Sequence, residues 1–164
     1  MTQTTTPPIE MERGFAGALA ISHDPKMVMT GKLVASAVGL GKFVVIDQAN
    51  GDDAVKLPSA SADITSKLAK GFVMHAHSQE SSLSGSPEWP QGYAAPVLSK
   101  GQIYVEVEDA VSEGGEVFIR FQGGNEGGAR SDVDGANAVA LPGAVYRSST
   151  TGAGLAVVEL NLPA

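Results

Sequence analysis

The sequence predicts an all-β fold: a single small sandwich or barrel-like domain, preceded by an extended N-terminal arm and carrying at most one short helix. Three observations predict it. Twenty glycines and nine prolines are spread through the 164 residues, so turn formers recur between short β-branched runs. Several of those runs alternate apolar and polar residues, the two-residue period of a half-buried strand. The hydrophobic fraction is 43% against 18% charged residues, enough to build a core and too apolar for a wholly disordered chain. The length is that of one ordinary domain.

The elements follow in chain order. Residues 1–13 form the arm: its opening Thr/Pro stretch, Met1-Thr2-Gln3-Thr4-Thr5-Thr6-Pro7-Pro8, favours extended or polyproline geometry and has nothing apolar to anchor it. The β-rich domain is expected over 14–164. It opens with Gly14-Phe15-Ala16-Gly17-Ala18-Leu19-Ala20, small enough to lie close against another backbone. Strands are expected at Met27–Thr30, Lys32–Val38 and Phe43–Asp47, and Asn50-Gly51 signals a turn into Ala54–Leu57. Ser59–Lys70 reads as either a loop or a short helix capped by Asp63, with Ile64 and Leu68 on one face. Gly71–His77 reads as a strand and Ser78–Gln91 as a polar loop holding the lone Trp89. Ala95–Leu98 and Gln102–Glu108 read as two strands separated by a turn at Lys100-Gly101. In the second, Ile103, Val105 and Val107 face a core while Gln102, Tyr104, Glu106 and Glu108 face water. Strands at Glu116–Gln122, Ala138–Leu141, Ala144–Arg147 and Gly154–Leu162 complete the set. The last alternates poorly at its start, as a strand covered on both sides would.

Composition excludes several classes of function. The formal net charge of −7 opposes nucleic acid or an anionic membrane held by bulk electrostatics. There is no cysteine, which removes disulfides, thiolate chemistry and cysteine-ligated metals. No apolar run reaches membrane-spanning length, and the N-terminus lacks the basic start and apolar stretch of a secretory signal. Synthesis in a cytoplasm is expected, with assembly from there into something larger.

Candidate chemistry is sparse. His75 and His77 share one strand face, and His23-Asp24 could close a metal site, but the sequence identifies no definite third ligand. The expectation is no metal and no cofactor, with a pH-sensitive contact the better use of the pair. Gly123-Gly124-Asn125-Glu126-Gly127-Gly128-Ala129-Arg130 lacks the Gly-Lys-Ser/Thr ending of a phosphate loop and reads as a flexible turn. Asp132-Val133-Asp134-Gly135 opens like a calcium loop without its later ligands. No nucleophile elbow is present, and Glu106 with Glu108 reads as a solvated acidic pair. No enzyme is expected. Phe15, Leu19, Trp89, Tyr93 and Tyr104 are the candidate contact residues, with Trp89 the aromatic least suited to the core.

The order of segments resembles the structural cement, or head decoration, proteins of tailed bacteriophages. The resemblance starts with Arg13-Gly14-Phe15-Ala16-Gly17-Ala18-Leu19-Ala20, then Gly41-Lys42-Phe43-Val44-Val45-Ile46-Asp47, Ala54-Val55-Lys56-Leu57-Pro58 and Gly71-Phe72-Val73-Met74-His75. It continues through Ala95-Pro96-Val97-Leu98-Ser99-Lys100-Gly101-Gln102-Ile103-Tyr104-Val105 and Gly114-Gly115-Glu116-Val117-Phe118-Ile119-Arg120 to Gly154-Leu155-Ala156-Val157-Val158-Glu159-Leu160. Segments Ser78–Gln91 and Asp132–Pro142 match nothing in the pattern. The resemblance implies a virion structural protein on the outer capsid surface that bridges neighbouring major capsid subunits. It implies the major capsid protein and a second copy of itself, as dimer or trimer, as partners, and no nucleic acid or membrane. The alternatives are a glycan- or host-surface-binding β-domain using Trp89, Tyr93 and Tyr104, or a tail or head-completion subunit.

Overall fold

A computed structural model describes residues 14–20, 27–66, 68–76 and 87–162. The arm at 1–13, His23, Asp24, His77 and most of the 78–91 loop lie outside the described residues. Eleven strands, one short α-helix and a single 3-10 turn at Asp134–Ala136 make up the regular structure of the described residues: β1 (Val28–Val34), β2 (Val38–Gly39), β3 (Phe43–Ile46), β4 (Ala54–Lys56), α1 (Ser61–Thr65), β5 (Ala69–Val73), β6 (Glu88–Trp89), β7 (Ala94–Val107), β8 (Glu116–Arg120), β9 (Ala129–Arg130), β10 (Ala138–Tyr146) and β11 (Gly154–Asn161).

The sheet closes on itself twice. Pairing runs β1–β4–β3–β5–β7 and returns from β7 to β1, making one ring of five strands. It then runs β7–β11–β10–β8–β9 and returns to β7 through Val107 opposite Ala129, making a second. The shared stave is β7: residues up to Lys100 pair with β1, and residues from Lys100 onward pair with β11. Closure removes the open edges that an exposed sheet would present.

Each ring has its own filling, set by strand alternation. Val34, Val44, Val55, Val73, Ala95 and Val97 point into the first ring, which the β2–β6 pair covers with Val38 opposite Trp89. Ile103, Val105, Ala156, Val158, Leu160, Val117 and Ile119 fill the second. The opposite faces of β3 and β5 carry Phe43, Val45 and Phe72 into that same second core, so these strands are buried on both sides. Phe43 and Phe72 meet edge to face at 5.4 Å.

Several expectations are corrected. Lys100-Gly101 is not a turn: β7 runs unbroken through it, with Gly101 at φ +126 where the strand passes from one ring to the next. Similarly, Ala138–Tyr146 is one strand, its register to β8 shifting between Ala140 and Val145 around Gly143. The helix ends at Thr65, so Leu68 lies beyond it, its carbonyl accepting the Ile46 N–H at 2.8 Å. Asp63 does not precede the helix but reaches back from inside it, accepting the Ser59 and Ala60 N–H groups at 3.0 and 3.1 Å. In β11, Ala156, Val158 and Leu160 are buried between less buried neighbours, so it is covered chiefly on one face; the small Ala156 hides the period in the sequence.

Candidate functional site

The N-terminal segment sets the most distinctive surface. Between the stretches of β7 paired with β1 and with β9, one edge of β7 is left open, and residues 17–20 fill it. Gly17 N–H donates to Tyr104 O at 2.8 Å, Ala18 O accepts the Tyr104 N–H at 2.9 Å, and Ala20 N–H donates to Gln102 O at 2.9 Å. Leu19 stands opposite Ile103 and packs on the second core. Small residues permit the approach: a Cβ on Gly17, itself at φ +82, would lie 3.0 Å from the His75 nitrogen. The close backbone contact read from Gly14–Ala20 is therefore made within this chain.

Phe15 stands between two clefts as a result. One, of about 630 Å³, is bounded by Gly14, Phe15, Glu106 and Leu155. The other, of about 690 Å³, is bounded by Phe15, Leu40, Lys42, His75, Pro87 and Asn125. The Phe15 ring meets the His75 ring edge to face at 4.9 Å and remains 51% exposed.

The five candidate contact residues divide accordingly. Phe15 and Tyr93 are exposed, Tyr93 at 53%. Leu19 is turned into the chain's own core. Tyr104 is half-buried, with Gly14 so close that an added Cβ would sit 2.8 Å from its ring. Trp89 corrects its expectation outright: it is a core residue of the first ring, and its indole N–H donates to Met74 O at 2.9 Å. An isolated Pro/Ser-rich loop gave no hint that β2 would cover it. Trp89, Tyr93 and Tyr104 thus form no common platform for a sugar. The sequence missed two exposed apolar side chains, Leu33 and Val133; Leu33 sits in register with Ala94, beside Tyr93 in the chain.

Trp89→Phe tests the reassignment. It removes the indole N–H that donates to the Met74 carbonyl, and is expected to lower stability by about 1–3 kcal/mol. Wild-type tryptophan emission should be blue-shifted and red-shift on unfolding; a red-shifted native spectrum would contradict burial.

A second constellation closes the far end of the second ring. Glu108, just past β7, accepts from Arg120 Nε and Nη2 at 2.9 and 2.6 Å and from Arg130 Nη1 at 3.0 Å. Arg120 also meets Asp134 at 2.7 Å, and Arg130 meets Asp132 at 2.7 Å and Asp109 at 3.3 Å. Beneath them the Tyr146 hydroxyl donates to Arg130 O at 3.0 Å, and burial, then the charge of Asp109, pushes its pKa above the ordinary phenol value. Glu106 and Glu108 are thus not an equivalent solvated pair: Glu106 is exposed, whereas Glu108 is 16% exposed and bound to both arginines. The acidic segment 132–134 serves as counter-charge. The glycine-rich loop before it is tied down, with Phe43 N–H donating to Gly127 O and Gly127 N–H to Arg120 O, both at 2.9 Å. Its expected flexibility is corrected by these bonds. Among the described residues no group of three or more His, Asp and Glu is placed to hold a metal.

The candidate surface is therefore apolar projections on a doubly closed β scaffold, with ion pairing at one end. A model of the family described as structural cement protein (E217 gp24/Pam3 gp6) matches residues 2–161. The chain belongs to the structural cement protein family. It is a phage structural protein that binds and cements the capsid. A chain in a solved structure, "The capsid of Myoviridae Phage XM1", shares its fold with a TM-score of 0.73 and 18% identity, over 98% of each chain. No curated protein matches the sequence. The cement family is structural rather than enzymatic in character, and its place is the virion.

Proposed function

We propose that this cement protein sits on the outer capsid surface and bridges neighbouring major capsid subunits, acting without catalysis and as a dimer or trimer. The observation that carries the reading is the distribution of large apolar side chains. Among the described residues most are buried in the two rings or half-buried against them, while Phe15, Leu33, Tyr93 and Val133 stand at least 45% exposed. Aromatic side chains displayed on a rigid scaffold are the anchors that protein interfaces use. Phe15 supplies one contact and Tyr93, with Leu33 close by in the sheet, supplies another. The arm at 1–13 joins the domain at Gly14, immediately before Phe15, and extends the same contact onto the capsid. Each such contact is multiplied over a symmetric lattice, so modest individual affinities suffice.

Phe15→Asp and Tyr93→Asp test the assignment. Each replaces a buried-on-binding aromatic by a charge and should weaken binding to heads lacking the protein by at least about tenfold. Circular dichroism should not change, because both rings project from the surface. Unaltered binding by both variants would contradict this choice of contacts. Arm deletion is best made at residues 1–13: removing 1–20 would also take away the backbone that fills the β7 edge, and the domain would not be left intact.

A further inference from the structure

Lys42, Asn125 and Glu108 form a chemical grouping that cementing does not use. Lys42 Nζ donates to Asn125 Oδ1, and Asn125 Nδ2 donates to Glu108 Oε1 at 2.6 Å. A primary amine thus lies on the carbonyl side of a carboxamide, and a carboxylate lies on its nitrogen. The opposite amide orientation would face donor to donor and acceptor to acceptor, so the partners fix it. We propose that these residues form an intramolecular isopeptide bond between Lys42 Nζ and Asn125 Cγ.

The surroundings hold the three groups together. Lys42 precedes β3 of the first ring, Asn125 lies in the loop after β8 of the second, and Glu108 follows β7. The loop is fixed to the first residue of β3, directly after the lysine, by the Phe43–Gly127 hydrogen bond. Asn125 adopts φ +64, a left-handed conformation that asparagine tolerates better than most residues. A Cβ on Gly128 would lie 2.7 Å from both Asn125 Nδ2 and Glu108 Oε1, so glycine leaves the room these groups occupy. Glu108 is oriented by Arg120 and Arg130. Burial lowers the Lys42 pKa, and the charges of Glu108, Glu106 and Glu126 only partly oppose it, which enlarges the fraction of neutral amine.

The step balances without any further reactant. Neutral Nζ attacks Asn125 Cγ, forming the new C–N bond as the carbonyl electron pair moves to Oδ1. Once Nζ has closed on Cγ, Glu108, which starts on Nδ2 at 2.6 Å, takes the Nζ proton and passes it to Nδ2. The carbonyl reforms, the Cγ–Nδ2 bond breaks and ammonia leaves, with Glu108 returned to its starting state. The carboxylate needs to hold this proton only in transit, so strong basicity is not required. The product would tie the two rings across a separation of 83 residues, restricting the unfolded chain as a disulfide does but independently of redox conditions.

The test is the intact mass of the purified full-length protein under denaturing conditions, followed by peptide mapping. The expected result is a loss of about 17 Da, one ammonia, with a branched peptide joining Lys42 to Asn125. Lys42→Arg and Asn125→Ala should restore the mass calculated from their sequences. A wild-type protein at full sequence mass, with Lys42 and Asn125 recovered in separate linear peptides, would overturn the proposal. So would a loss that persists in Lys42→Arg, since succinimide formation at Asn50-Gly51 produces the same mass change. The wild-type peptide map decides the matter even if a variant folds poorly.

Discussion

Gly71→Ala is expected to destabilise the protein by about 4 kcal/mol or more, or to prevent folding. Gly71 lies in β5 at φ +143, and a Cβ there would fall 1.9 Å from the carbonyl oxygen of Leu98. Backbone strain alone costs about 1–3 kcal/mol at such a position. The clash adds to it, because the obstacle is the main chain of β7, the stave shared by both rings, and not the end of a flexible side chain. Relief would require β5 to leave β7, breaking the pairing of Phe72 with Leu98 and opening the first ring. Phe72 and Val73 would lose their places in two different cores together. Denaturant unfolding followed by Trp89 emission measures the effect. A loss below about 1 kcal/mol would show that β5 does not lie against β7 as described.

Glu108→Ala should be the next most damaging change, at about 3–5 kcal/mol, the range for removing one partner of a buried ion pair. Glu108 is the least exposed of the four acids around Arg120 and Arg130, and it meets both arginines, which are themselves 10% and 11% exposed in the side chain. Asp132 is 63% exposed and cannot replace it. The same arrangement gives a pH dependence. Burial would raise the Glu108 pKa, but hydrogen bonds from Arg120 and Asn125 and the two arginine charges outweigh it and hold the carboxyl below its usual range. Asp134 is held low too, first by its hydrogen bond from Arg120 and then by that from Asn137. A depressed folded pKa means the stabilisation is complete above the unfolded value of about 4 and is lost as pH falls through the folded value. Thermal unfolding should therefore be insensitive to these groups near neutrality and fall steeply below about pH 4, with a smaller fall in Glu108→Ala. An equal fall in both proteins would remove Glu108 from the explanation.

The strands were the most readable part of the chain because their side-chain period survives in sequence. Ile103, Val105 and Val107 alternate, and all three are buried as that alternation implies. Closure was less readable. Lys100-Gly101 has the composition of a turn, yet its conformation depends on the pairing of β7 passing there from the start of β1 to the end of β11, segments far away in the chain. Trp89 lost its identity as a core residue for the same reason: it stands between Glu88 and Pro90 in a Pro/Ser-rich segment, while Val38 lies opposite it across a two-residue strand. Phe15 could be singled out as the lone aromatic in a small-residue segment. Whether that segment paired with this chain or another was set by the open edge of β7. Arg120 lies within the expected strand Glu116–Gln122, but the convergence of Glu108 and Asp134 upon it, and of Glu108 upon Arg130, arises from ring closure. The Lys42–Asn125–Glu108 grouping likewise unites three segments that no local pattern connects.

The central claim, attachment to assembled capsids, is tested most directly by co-sedimentation of the purified full chain with expanded phage heads that lack it. A concentration series should saturate at a copy number commensurate with the capsid lattice, and the saturating number would identify the occupied positions. Absence of binding, or uptake that rises without saturating, would contradict specific attachment at repeated lattice sites.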